Sequence, residues 1–245
     1  MDCQLLVRRP VYKCINIDQA CLLCDEPADQ AYPLCMACEA ELPWLVEQCL
    51  QCALPLPMAD LSCGQCSRRP PAFAHVVAPW HFGFPLDTLV SRFKHRSQWP
   101  IGQLLARLLG HALEHRYAEG LARPDQLLPV PLAARRLRQR GFNQAEMLAR
   151  WLSGQLKIAC NGRLLQRSRD TPAQQMLGAR ERRRNLRQAF CLAPGANVEG
   201  LHVAVIDDVL TTGATAHALA EVLRKAGARR VDVYCLARTP KPGQA

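Results

Sequence analysis

Long apolar runs are missing from this chain, and no stretch approaches the roughly 20 consecutive apolar residues that a membrane-spanning helix needs. The opening residues, with acidic Asp2 and only a brief Leu-Leu-Val, lack the build of a secretion signal. A cytoplasmic location without membrane insertion is the resulting expectation. Aromatic residues are scarce at 6%, which leaves few platforms for stacking bases and argues against dedicated single-strand binding. Acidic residues are outnumbered as well: 21 Asp and Glu against 31 Lys and Arg give a net charge of +10. That excess favours an anionic partner or substrate, and composition does not separate nucleic acid from pyrophosphate.

Cysteine, by contrast, is abundant. Ten of the 13 lie before residue 70, and eight of those form four CxxC pairs: Cys21/Cys24, Cys35/Cys38, Cys49/Cys52 and Cys63/Cys66. Ten residues separate each pair from the next. In a chain expected to meet reduced thiols, this regularity favours thiolate metal sites over disulfides, and two four-thiolate zinc sites are the natural count. Neighbouring pairs sharing a metal would give consecutive zinc ribbons; alternate pairs would give a cross-brace. Consecutive ribbons are the preferred pairing, and an iron–sulfur set is the weaker alternative. Cys3, Cys14, Cys160, Cys191 and Cys235 have no such spacing and read as incidental or buried thiols.

The remaining chain is organised around Val203 to Thr215, VAVIDDVLTTGAT. Val203 to Ile206 suits a strand buried on both faces, with Asp207 and Asp208 standing where it would end. Thr211, Thr212, Gly213, Ala214 and Thr215 suit a tight anion-binding turn, and a helix from His217 to Ala226 follows. Turn amides and threonine hydroxyls can hold a 5′-phosphate while the carboxylates accept ribose hydroxyls and approach Mg²⁺. The stretch has no GxxxxGK[ST] spacing and no lysine, so it is not a P-loop.

Between these regions, SRRPPAFA from Ser67 to Ala74 reads as a linker. The chain is long enough for a full domain plus a small one, and the boundary is expected at 70/71: residues 1–70 carry the cysteines, residues 71–245 the α/β domain. The spacing predicts a strand over His75 to His81 and helices over Leu86 to Phe93 and Ile101 to His115. Lys94, His95 and Arg96 read as a solvated helix end, with a basic cluster beside a phosphate site as the sharper alternative. Gln126 to Leu132 is an apolar strand punctuated by prolines. A basic loop with Arg135, Arg136, Arg138 and Arg140 follows, and then a helix capped by Asn143, with Glu146 in the capping-box position. Strand, rigid turn at Pro131 and Leu132, arginines and helix start suit pyrophosphate, although an ordinary basic surface loop has the same composition. After a strand-like segment near Arg163 to Leu165, the polar stretch Gln166 to Gln188 carries turn formers and arginines, as a closing lid or a disordered linker would.

The paired cysteines with LPW at Leu42 to Trp44, PVPL with RLRQRGFNQA from Arg136 to Ala145, RSRDTPAQ, RRRNLRQAF at Arg182 to Phe190 and VIDDVLTTGAT together resemble the competence protein ComF family, including ComFC-like and GntX-like members. The resemblance extends over nearly the whole chain; FKH at Phe93 to His95 departs mildly from it. It implies a type I phosphoribosyltransferase fold, α/β and Rossmann-like with a mostly parallel sheet, behind a double zinc ribbon. It also implies an association with natural transformation, acting on single-stranded DNA in the cytoplasm or with a DNA-uptake protein; GntX-like members have been linked to gluconate use.

Two function classes follow. As a phosphoribosyltransferase, the chain would bind phosphoribosyl pyrophosphate (PRPP) with Mg²⁺ at Asp207, Asp208 and Thr211 to Thr215. Pyrophosphate would lie against Pro131, Leu132, Arg138 and Arg140, and Arg167, Arg169, Thr171 or Gln174 would stabilise the leaving group while an unidentified nitrogen nucleophile attacks C1′. As an adaptor, it would hold PRPP or a nucleotide without catalysis and contact DNA through its arginines and zinc ribbons.

Overall fold

The structure, a computed structural model, describes residues 19–28, 30–58, 61–168 and 189–240. The chain divides between Glu41 and Leu42 into two compact units, so the second four-cysteine set packs within the larger one.

In the smaller unit, β1 (Gln19–Ala20) pairs antiparallel with β2 (Pro27–Ala28), and α1 (Met36–Ala40) follows Cys35. Among its described residues, Tyr32 and Leu34 are the buried apolar side chains besides Cys21, too few for a core of ordinary size.

The larger unit opens with the second cysteine set and α2 (Gly64–Arg68). β3 (His75–Val77) and β4 (Trp80–His81) replace the single strand expected over His75 to His81, with Ala78 and Pro79 between them. Proline has no N–H to give a ladder, so the strand is interrupted at an edge, where this is tolerated. The LPW segment lies against that edge: Leu45 N–H donates to Pro79 O, His81 N–H donates to Pro43 O, and the Trp44 and Trp80 rings sit 5.4 Å apart. Helices α3 (Leu86–Arg96) and α4 (Trp99–Ala118) cover both segments predicted as helical.

β5 (Gln126–Pro129) leads through α5 (Ala134–Arg140) and α6 (Gln144–Leu156) to β6 (Ala159–Cys160). β7 (Leu165–Arg167) and β8 (Phe190–Leu192) form an antiparallel ribbon. β9 (His202–Leu210), α7 (Ala214–Lys225) and β10 (Arg230–Arg238) complete the described chain. The main sheet runs β3-β10-β9-β5-β6, parallel throughout, with β4 also on β10.

Side-chain alternation along β9 builds two layers. Val203 and Val205, with Val231 and Val233 of β10, share one core cluster with Leu219 and Leu223 of α7. On the sheet, α6 packs against β5 and β9, and α4 against α6 and β10. Each fully buried valine or leucine contributes about 1.5–3 kcal/mol, enough to fix this strand at the centre. The β5 crossover runs to β6 on one side and the β9 crossover to β10 on the other. Strand order therefore reverses between β5 and β9, and in open α/β sheets that is where a ligand crevice forms.

Candidate ligand site at the β5–β9 crevice

Asp207 and Asp208 lie inside β9, not at its end as the sequence predicts. The cause is unequal pairing: β5 leaves at Pro129, opposite Ile206, whereas β10 stays paired with β9 as far as Leu210 opposite Arg238. Beyond Ile206, then, β9 carries its acids along a half-open edge of the crevice. Each carboxylate accepts the next residue's backbone N–H, Asp207 Oδ1 from Asp208 at 2.9 Å and Asp208 Oδ1 from Val209 at 2.8 Å.

Asp208 is buried, and its Oδ2 meets Lys94 Nζ at 2.5 Å. Lys94 continues the buried stripe of α3: Leu86, Val90 and Lys94 follow at four-residue steps, with Leu89 and Phe93 beside them. Its position in the last turn, before Ser97 closes the helix at φ 53°, suits a cation. Of the basic cluster, Lys94 thus faces inward while His95 and Arg96 are exposed. Burial brings the Lys94 ammonium down to about 8, against the pull of Asp207 and with help from Arg140 and Arg136. Burial pushes the half-buried Asp207 carboxyl up to about 7, and Lys94 opposes the rise. Carboxylates, ammonium and arginines converge on one crevice.

After β9, Thr211 and Thr212 are exposed and Gly213 turns the chain at φ 74°. That left-handed geometry admits glycine without strain. Thr212 Oγ1 accepts the Ala214 N–H at 3.3 Å, and Thr215 lies in the first turn of α7, where free N–H groups favour an anion.

Across the crevice, Val130 N–H donates to Ile206 O at 2.9 Å before the chain turns away through half-buried Pro131 and Leu132. The basic segment expected as a loop is the helix α5, because Ala133, Ala134 and the arginines that follow are good helix formers; Gly141 ends it at φ 84°. Asn143 caps α6 by accepting the Ala145 N–H at 3.1 Å and also donates to Val130 O at 3.0 Å, which ties the helix start to the end of β5. Glu146 pairs with Arg150 at 2.7 Å. On α5, Arg136 and Arg140 are four residues apart and share the face that acts on Lys94, and Arg140 donates to Gln144 Oε1. Burial, with the Arg136 charge, lowers Arg140 from its ordinary value. Arg138 is two residues from each, on another face, and exposed.

The eight paired cysteines gather into two sets, Cys21, Cys24, Cys35 and Cys38, and Cys49, Cys52, Cys63 and Cys66, each with its sulfurs within 4.8 Å of one another. This is the consecutive pairing. Sγ separations of 3.7 Å, Cys24 to Cys35 and Cys52 to Cys63, match the roughly 3.8 Å edge of a tetrahedron with Zn–S near 2.3 Å. Each set therefore fits a structural zinc. Backbone detail repeats between them: Cys21 N–H donates to Glu26 O as Cys49 N–H does to Leu54 O, and Asp25 and Ala53 both have positive φ. Burial opposes ionisation of Cys21 and Cys49, but N–H donors, led by Cys35 and Cys63 respectively, outweigh it and bring them down to about 6 and about 7. Burial pushes Cys52 up to about 11 and raises Cys38 and Cys66 as well. A bound metal would offset that cost.

Residues 140–244 match the phosphoribosyl transferase domain family. The chain is 40% identical to the DNA utilization protein YhgH of Salmonella typhi over 70% of this chain and 75% of that protein. Against competence protein F of Haemophilus influenzae the identity is 38% over 70% and 76%. The chain belongs to the competence protein ComF family. Among solved structures, a purine phosphoribosyltransferase from Pyrococcus horikoshii is 16% identical with a TM-score of 0.34, covering 56% of this chain and 73% of that one.

The ComF-family fold here is thus a type I phosphoribosyltransferase domain with a mostly parallel sheet, preceded by cysteine sets that fit zinc ribbons. Within it, Asp207, Asp208, Thr211 to Thr215, Pro131, Leu132 and Arg140 gather at the C-terminal edge of β5 and β9. Arg167 stands at the ribbon, with its guanidinium 5.5 Å from the Phe190 ring centroid, and Ser168 N–H donates to Ala189 O. Arg169, Thr171 and Gln174 lie outside the described residues. Lys94, which the sequence reads as a solvated helix end or as part of a basic cluster beside a phosphate site, reaches the crevice, and its four-residue step from Val90 is the local signal of its inward face. No described helix is long and apolar enough to cross a membrane.

Proposed function

We propose that this ComF-family protein binds PRPP with Mg²⁺ and transfers its phosphoribosyl group to a nitrogen nucleophile. The observation that carries the reading is the crevice itself, where two carboxylates, a glycine-hinged phosphate turn and an arginine-bearing helix meet at the reversal of strand order. Asp207 and Asp208 accept the ribose hydroxyls. The N–H groups and hydroxyls from Thr211 to Thr215 hold the 5′-phosphate. Arg140, with Arg136 on the same face of α5 and the chain at Pro131 and Leu132, takes the pyrophosphate, while Arg138, expected beside them, is on another face. Arg167 and Arg169, at and within the stretch between β7 and β8, stabilise the leaving group and exclude water.

Mg²⁺ fits this donor set, because it is commonly bound by one or two carboxylates together with substrate phosphates. Bound there, it would neutralise charge on the pyrophosphate. The cysteine-rich segment, residues 1–70, holds two structural zinc ions. The relatives' names, DNA utilization protein and competence protein, support a role in handling incoming DNA. They also favour a second reading, an adaptor that holds PRPP or a nucleotide without catalysis while single-stranded DNA lies on the basic surface.

One experiment separates these. Pyrophosphate release from PRPP is measured with a panel of purine and pyrimidine bases, simple amines and single-stranded DNA, alongside calorimetric PRPP binding. Release with one acceptor establishes transfer. Mg²⁺-dependent binding lost in Asp207→Asn/Asp208→Asn, without release, establishes the adaptor. No binding by the wild-type chain would refute both.

A further inference from the structure

A single guanidinium joins the second four-cysteine set to the turn read as the phosphate cradle. Arg238, buried at the end of β10, donates through Nε to Cys52 O at 2.9 Å. Its Nη1 donates to Leu210 O at 3.0 Å, to Thr239 O at 2.8 Å and to Thr211 O. All four acceptors are backbone carbonyls. Two belong to the chain entering Thr211 to Thr215, and one belongs to a cysteine of the metal set. Two further links run in parallel. Ala72 N–H donates to His217 Nδ1 at 3.0 Å, joining the chain that leaves the set to the first turn of α7. Ala53, next to Cys52 and fully buried, shares a core cluster with Leu210, Ala216 and Leu219, and Cys52 itself packs against that cluster.

We infer that Arg238 is a positioning residue through which the metal state of Cys49, Cys52, Cys63 and Cys66 sets the phosphate turn, so that zinc and PRPP stabilise each other's binding. The physical chain is short. A metal in the set holds the knuckle closed, including Ala53 at φ 51°, a conformation that alanine leaves readily when unconstrained. The closed knuckle fixes the Cys52 carbonyl, that carbonyl orients the guanidinium, and the guanidinium holds Leu210 O and Thr211 O. With the metal gone, the buried cation loses an acceptor and the turn loses its anchor. The first set lies in the other compact unit. The inference rests on reading Thr211 to Thr215 as the 5′-phosphate turn and the cysteine sets as zinc sites.

Linkage makes the coupling reciprocal, which gives a readout separate from activity. Full-length protein carrying two zinc equivalents is challenged with the chromogenic chelator 4-(2-pyridylazo)resorcinol, with and without PRPP and Mg²⁺, while calorimetry on the same samples measures PRPP binding. PRPP should slow release of one equivalent, and only one, by about tenfold, within the usual range of allosteric coupling. Arg238→Met should release that equivalent faster without ligand, lose the protection, and bind PRPP about tenfold more weakly. Arg238→Lys, which keeps the charge but not the fork of donors, should restore folding and part of the protection. Wild-type protein that binds PRPP yet releases both equivalents at unchanged rates overturns the coupling and leaves the ligand reading intact. Full PRPP affinity and wild-type zinc release in both Arg238 variants would overturn it equally. Wild-type protein that binds no PRPP at all removes the ligand reading, and this inference with it.

Discussion

Replacing Lys94 with methionine keeps most of its apolar stem and removes the charge that meets Asp208 Oδ2. At the 2.5 Å separation and an effective dielectric constant near 20, the attraction between the two charges is about 7 kcal/mol before either group's desolvation is counted. Both side chains are largely buried, 19% and 7% exposed, so desolvation cancels much of that. The net coupling should be about 2–3 kcal/mol. Lys94→Met alone should nevertheless cost about 3 kcal/mol or more, because it strands a buried carboxylate. Asp208→Asn should cost less at pH 8, since Lys94, already brought down to about 8, sheds its proton cheaply once its partner is gone. Urea denaturation of wild type, both single variants and the double variant at pH 8 without Mg²⁺ closes the cycle. Single-variant losses that add to within about 0.5 kcal/mol in the double variant would refute the pair as a coupled unit.

Three further outcomes are expected. Asp207, pushed up to about 7 in the folded state, binds a proton there more readily than in the unfolded chain between about pH 4 and pH 7. Its contribution therefore weakens folding as pH rises through that window, and Asp207→Asn should raise Tm clearly more at pH 8 than at pH 5, where only part of the penalty is present; an equal change at both would contradict the shift. Gly213→Ala meets open space but must adopt φ 74°, so it should cost about 1 kcal/mol in stability and weaken calorimetric PRPP binding more than an alanine on the exposed face of α7 does. Asn143→Ala removes both a cap and the bond to Val130 O and should cost about 1–2 kcal/mol in denaturant; a loss below about 0.3 kcal/mol would show that neither bond matters.

Local pattern carried part of this architecture and long-range pairing carried the rest. The buried run of β9, the Asn143 cap and the consecutive cysteine sets were readable because each depends on residues a few positions apart. How far β9 continues past its acids was not, because that is decided by β10 staying paired after β5 departs. The break at Pro79 had a local signal in the proline itself. Lys94 reaches Asp208, and Arg238 reaches Cys52, across 114 and 186 residues of sequence. A side chain's partner at that range follows from topology, which local pattern does not carry.

The place of β10 in the sheet has a consequence for biosynthesis. It follows every other described strand in sequence, yet it supplies the seam to which β3, β4 and β9 are all hydrogen-bonded. A nascent chain stopped before Arg230 has no edge on which β3 can dock, although the second cysteine set is already made. Such non-local closure slows folding, and during the delay those thiolates are open to oxidation and to the wrong metal. Early zinc capture would protect them, and stalled chains should accordingly show the cysteines of this set alkylated faster than in the finished protein.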